Sequence, residues 1–283
     1  MRKYLIISLL ASYSIVFAGE TEDFKVVDNL YKERNFKTAL TESEKFLQKY
    51  PESKHQKSMR DKVAKIYFLE KNYKKAEELF KKLFIVEEKQ SQKEEYASYL
   101  ARANALLNNS DSAMFYLREI KDKKIFQKTF FAVAQDFLAK ENNEAAKKAY
   151  TEIINNKYEN YKESMMGLGI VYYNLKEYDK AIYWLSEFSK VVPNENKEMV
   201  LYLRASALYR KGSTDEAIKH FENLANVNPS TEYSRKAALY LIEIYSNRKD
   251  EANVSFYLNR IKGTKEYNTA MTMIGFICNK GKL

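Results

Sequence analysis

The chain has 283 residues and carries 48 lysines and arginines against 38 aspartates and glutamates, a net charge of +10. Seven glycines and three prolines leave no linker or low-complexity segment, and one cysteine, Cys278, excludes an internal disulfide. Strand-type alternation is absent, so an all-helical chain is expected, with the length of two compact domains but with a repeat that argues for one elongated domain.

In chain order, residues 1–18 read as a signal peptide. Arg2 and Lys3 form a positive end, Leu5 to Phe17 an apolar stretch, and Val16-Phe17-Ala18 a small-residue cleavage pattern. The mature protein is expected to begin at Gly19, with a charge of +8 once Arg2 and Lys3 are gone (10 − 2). No later segment is apolar enough to span a bilayer, so no transmembrane anchor is expected after cleavage.

From Gly19 onward the chain repeats. Ala39, Ala76, Ala113, Ala146, Ala181, Ala217 and Ala252 recur at intervals of 33 to 37 residues. Pro51, Pro193 and Pro229 each follow one of these alanines by twelve positions. A period in the mid-thirties is the mark of stacked helical hairpins. Twelve residues before the alanine stand Val27, Ala64, Ala101, Ala134, Gly169, Ala205 and Tyr240, most of them small, as two closely approaching helices require. Four after it come Ser43, Phe80, Leu117, Tyr150, Leu185, Phe221 and Phe256, and seven after it Phe46, Leu83, Ile120, Ile153, Phe188, Leu224 and Asn259. Both offsets place a side chain on the alanine's own helix face. Asn108-Asn109, Asn142-Asn143, Lys176-Glu177 and Lys211-Gly212 supply the tight turns. The third unit departs at Asn104 and Ser110, and the seventh at Glu243, Lys249 and Asn259. Residues 266–279 follow as a final, capping helix.

At these residues the chain resembles the tetratricopeptide repeat family, which has a small residue in helix A, an alanine in helix B, an aromatic four positions on and a closing proline. The resemblance covers roughly residues 23–260 and implies an all-α, right-handed superhelical solenoid over residues 19–283, of about seven units and a cap. Thr41 to Lys54, with Phe46, Tyr50-Pro51 and Ser53, and Asn228 to Thr231 are similar to the repeat endings of bacterial envelope scaffolds, of the outer-membrane assembly lipoprotein and Tol–Pal coordinator type. The lipid-bearing cysteine of the first type and the leading coiled coil of the second are missing.

Chemistry is not marked anywhere. His55 and His220 lie far apart, and neither has a second histidine or cysteine at metal-ligand spacing. Gly167 and Gly169 belong to a helix stripe and not to a phosphate loop. No catalytic residue, cofactor or metal is assigned, and an enzyme is not expected. The resemblance instead implies a groove lined by helix A at three positions before, one after and four after its small residue. These are Asp61, Lys65 and Phe68; Ser98, Arg102 and Ala105; Phe131, Gln135 and Leu138; Met166, Ile170 and Tyr173; and Tyr202, Ser206 and Tyr209. Phe131, Met166, Ile170, Tyr173, Tyr202, Tyr209, Lys65 and Arg102 are the expected contact residues. The resulting expectation is a periplasmic adaptor, in envelope assembly or maintenance, that holds peptide segments of envelope proteins, with no nucleic-acid partner and with homo-oligomers open. The alternatives are a structural protein that self-associates or binds cell-wall polymer, and an accessory subunit of an enzyme.

Overall fold

The structure is a computed structural model that describes residues 19–194, 196–227 and 230–280. The signal segment, Pro229 and the side chain of Cys278 lie outside the described residues. The described residues form fifteen helices and fall into two compact units, Met1–Asn142 and Asn143–Leu283.

The first unit holds α1 (19–32), α2 (Phe36–Lys49), α3 (Gln56–Leu69), α4 (Tyr73–Val86), α5 (Gln90–Leu106), α6 (Ser110–Arg118) and α7 (Lys123–Ala139). The second holds α8 (Asn143–Asn155), α9 (Tyr161–Asn174), α10 (Tyr178–Val191), α11 (Lys197–Lys211), α12 (Thr214–Val227), α13 (Glu232–Asn247), α14 (Glu251–Arg260) and α15 (Lys265–Lys280). Within each unit, odd-numbered helices are the first arms of hairpins and even-numbered ones the second.

Each hairpin turns in the same way. One residue takes a left-handed backbone: Arg34, Lys71, Asn108, Glu141, Lys176, Gly212 and Lys249, with φ between 58° and 98°. The next residue's N–H then donates back to the carbonyl five positions earlier, as in Asn35 to Leu30, Glu177 to Tyr172 and Asp250 to Tyr245, each at 2.9 Å. This Schellman-type closure satisfies carbonyls that the helix end leaves free. It also numbers the repeat without reference to side chains. In six hairpins the anchor alanine lies five residues beyond the left-handed residue, and Ala39, Ala76, Ala113, Ala146, Ala181 and Ala217 are all fully buried.

In the seventh hairpin that place belongs to Val254, whose N–H donates to Asp250 as Ala181's does to Glu177. Ala252, expected as the anchor, is exposed, and so is Phe256 at 49%. The frame is two residues later than the alanine suggests. In the corrected register Ile242 (0%), Tyr245 (8%) and Ile261 (1%) are buried where Tyr240, Glu243 and Asn259 were expected. Counted from Val254 the seventh unit recovers these buried positions, with Val254 and Ile242 standing where earlier units have an alanine and a small residue.

The other departures are buried polar groups with local partners. Ser43 donates to the Ala39 carbonyl at 2.6 Å, and Asn104 Nδ2 to the Leu100 carbonyl at 2.9 Å. Bonding to the carbonyl four residues back removes the penalty of an unpaired buried group. The Tyr50-Pro51-x-Ser53 segment ties the first hairpin: Tyr50 donates its hydroxyl to Asp23, and Ser53 donates its hydroxyl to Glu20.

Helix α15 continues the frame. Five residues before the small position of helix A, Met59, Tyr96, Thr129, Ser164, Val200, Ala237 and Ala270 are all buried, which sets Gly275 at the small position of α15. At Gly169 an added Cβ would lie 2.7 Å from Leu185 Cγ, because α10 crosses there; at Gly275 it would meet nothing within 4 Å.

Two contrasts test this register by thermal denaturation followed by circular dichroism. Ala181→Leu should cost about 1–3 kcal/mol by overpacking, whereas Ala252→Leu should leave the midpoint unchanged. Gly169→Ala should destabilise through its clash with Leu185, while Gly275→Ala should stabilise by about 0.5–1 kcal/mol, the helix propensity of alanine over glycine.

Candidate functional site

In the first unit the charged groove residues are paired. Lys65 Nζ lies 2.8 Å from both Asp61 Oδ2 and Glu95 Oε1. Burial works to discharge Lys65, but hydrogen bonds from its ammonium group to the two carboxylates outweigh it and hold its pKa above the usual lysine value. Burial raises Asp61. Arg102 donates Nε to Asp136 at 2.8 Å, and its guanidinium sits 5.2 Å over the Phe68 ring. Ser98 and Thr129 share a hydrogen bond of 2.8 Å. Lys65 and Arg102, expected as contact residues, are thus committed to ion pairs within their own unit. Phe131 is half-buried on α7.

In the second unit the groove positions are aromatic. Tyr173, Tyr202 and Tyr209 are half-buried and come together through Tyr240 of α13. Tyr240 stacks on Phe221 (4.7 Å, 8°) and lies 6.0 Å from Tyr202 and 5.5 Å, edge-on, from Tyr209. Tyr173 shares hydrogen bonds with Tyr240 and Arg210; burial first, then Tyr240, pushes its phenol up to about 12. Tyr209 donates its hydroxyl to Glu243 at 3.2 Å. The tyrosines expected to form one patch do so, but their hub is a residue that the sequence frame had assigned to a small-residue site. Met166 packs beside Leu185, Phe188 and Val200 and contributes mainly to the core, and Ile170 is half-buried.

The same aromatic trio recurs in both units. Phe68, Phe80 and Tyr99 in the first correspond to Tyr209, Phe221 and Tyr240 in the second, each pair 141 positions apart. Phe80 stacks on Tyr99 at 4.5 Å and 9°, and Phe68 meets Tyr99 edge-on at 5.2 Å. The aromatic at the middle of helix B and the next helix A are joined by this stack.

A cavity of about 1410 Å³ opens beside the tyrosine cluster, between α13, α14 and α15. Glu243, Ser246, Thr272 and Phe276 line it from groove positions of the corrected frame, with Val254 and Ile277. Sequence reasoning missed it because the slipped register left α13 and α15 without groove positions. The signal that could have found them was Lys249, a turn residue at the place of Lys176 and Gly212.

Lys65→Met should destabilise the first unit by about 2 kcal/mol at neutral pH, below the roughly 3–5 kcal/mol of a fully buried pair because Glu95 keeps 40% of its side chain exposed. Removing the cation leaves Asp61, whose pKa burial already raises, without its partner, so the loss should shrink as pH falls and Asp61 protonates. Urea denaturation at pH 7 and pH 4.5 measures both.

Two family models, each described as Tetratricopeptide repeat, match residues 131–188 and 199–231. Among solved structures, the C-terminal part of a TPR repeat-containing protein from Cytophaga hutchinsonii has a TM-score of 0.64 at 17% identity, over 88% of this chain and 98% of that one. A tetratricopeptide repeat protein from Parabacteroides merdae gives 0.56 at 10% identity, over 92% and 98%. PilW, a widely conserved type IV pilus biogenesis factor, gives 0.52 at 14% identity, over 77% and 97%. No curated protein matches the chain. The similarity of these structures is one of fold; with the two repeat matches over residues 131–188 and 199–231, it shows a tetratricopeptide-type repeat fold.

Proposed function

We propose that this protein is an exported adaptor of the bacterial envelope that holds peptide segments of other envelope proteins. Tetratricopeptide folds mediate protein–protein interactions, which supplies the general role. The observation that carries the reading is the aromatic face of Tyr173, Tyr202, Tyr209 and Tyr240, half-exposed on three successive first-arm helices of the second unit. Rigid tyrosine side chains offer large contact area and a hydrogen-bonding hydroxyl at small cost in rotamer entropy. Export rests on the signal-like residues 1–18, and the structural likeness to a pilus biogenesis factor is consistent with an envelope setting. Among the described residues no helix is long and apolar enough to cross a membrane.

The test places a photo-crosslinking amino acid at Tyr202 in the native host. Discrete envelope proteins should be captured, and Tyr173→Ala with Tyr209→Ala should abolish the capture. Central aromatic anchors typically contribute about 2 kcal/mol or more each. Capture that survives these changes with the fold intact would place the partner on another face. Mass measurement of the same purified protein should show a chain starting at Gly19; a mass that includes Met1 to Ala18 overturns cleavage at that site.

A further inference from the structure

The second unit has one broken step. Within it each first-arm helix packs on the second arm before it: α9 on α8, α11 on α10 and α13 on α12. Helix α15 instead rests mainly on α13, and the cavity of about 1410 Å³ lies between it and α14. The gap therefore falls where a close helix–helix contact falls at each earlier step of the second unit. A helix with its side chains is roughly 11 Å across and rises about 1.5 Å per residue, so this volume matches about three turns of helix.

The lining says what kind of helix would fit. Val254 of α14 faces Ile274, Phe276 and Ile277 of α15 across the gap, and Phe276 is 68% exposed. The rim carries Glu243, Asp250 and Glu251 against a single Lys249. Glu243 is bonded to the Tyr209 hydroxyl and Asp250 to Asn253, yet among the described residues none of the three carboxylates forms an ion pair with a lysine or arginine. In a chain of net charge +10 this is a local excess of unpaired acid around an apolar cleft.

From this juxtaposition we infer that the α13–α14–α15 cleft is the docking site for one amphipathic helix of a partner protein, apolar on one face and flanked by lysine or arginine. The inference rests on the reading of the chain as a binding scaffold and gives that scaffold a specific ligand class. The apolar face replaces the missing helix contact, and the basic flank neutralises the three carboxylates.

The probe is a 14-residue acetylated, amidated and fluorescein-labelled peptide with leucines at positions spaced three and four apart and lysines elsewhere. Its controls are the same peptide with glutamates for lysines and a scrambled Leu/Lys peptide. Fluorescence anisotropy with the mature protein should show the Leu/Lys helix binding at least 10-fold more tightly than either control. Phe276→Asp and Glu251→Lys, both at exposed positions, should each weaken it at least 5-fold with unchanged circular dichroism. Equal affinity for the glutamate peptide, or full affinity in Phe276→Asp, overturns the inference. Concentration-dependent self-association in sedimentation that Phe276→Asp abolishes would assign the cleft to a second copy and overturn it as well. Crosslinking from Tyr202 reports separately on the scaffold reading: if it still captures partners while the peptide does not bind, only the cleft assignment falls.

Discussion

Where the first arm of a hairpin crosses the second, the side chain between them can be almost nothing. At Gly169 there is no room for a methyl group, since its Cβ would stand 2.7 Å from Leu185. Ala64, Ala101 and Ala205 occupy the same place in other hairpins and are fully buried. This close approach sets the rest. It fixes which face of helix A meets helix B, so the residues one and four positions on flank that contact on one side and become the groove. It also fixes the phase of helix B, so the residue four beyond the anchor reaches the next first arm. The stacks of Phe80 on Tyr99 and Phe221 on Tyr240 follow from that geometry.

On this common frame the two units present different chemistry. In the first, Asp61, Lys65, Glu95, Arg102 and Asp136 neutralise one another across neighbouring helices. Half-buried pairs of this sort leave little charge free for a ligand. In the second, Tyr173, Tyr202 and Tyr209 stand at groove positions, and the hydroxyls of the cluster reach Tyr240, Arg210 and Glu243. A phenol can serve both as packing surface and as hydrogen-bond partner, so this face contributes to the fold while still offering contact area.

The last hairpin shows how the frame ends. Helices α14 and α15 keep the backbone turn and the buried Ala270, but α14 has only ten residues, and its Leu258 is only half-buried where the preceding unit has the fully buried Phe221. The second arm therefore gives the next helix little to pack on. Helix α15 settles against α13, Gly275 is left facing open space, and a cleft with an acidic rim remains.

Much of this was legible in the sequence. The period, the helical class, the buried alanines through Ala217 and the convergence of Tyr173, Tyr202 and Tyr209 follow from spacing, because an anchor forced to be small repeats visibly. Ala252 misled for the same reason: an alanine at the right interval looks like an anchor whether or not it is buried, and only the backbone closure at Lys249 shows the two-residue slip. Tertiary structure alone decided the rest. Whether Lys65 and Arg102 are free or paired depends on Glu95 and Asp136, about thirty positions away on the next first-arm helix. That Tyr240 is the hub depends on its stack with Phe221, and the cleft depends on which helix α15 chooses to rest against. Spacing along one helix determines which side chains share a face; only the packing of separate helices determines what meets that face.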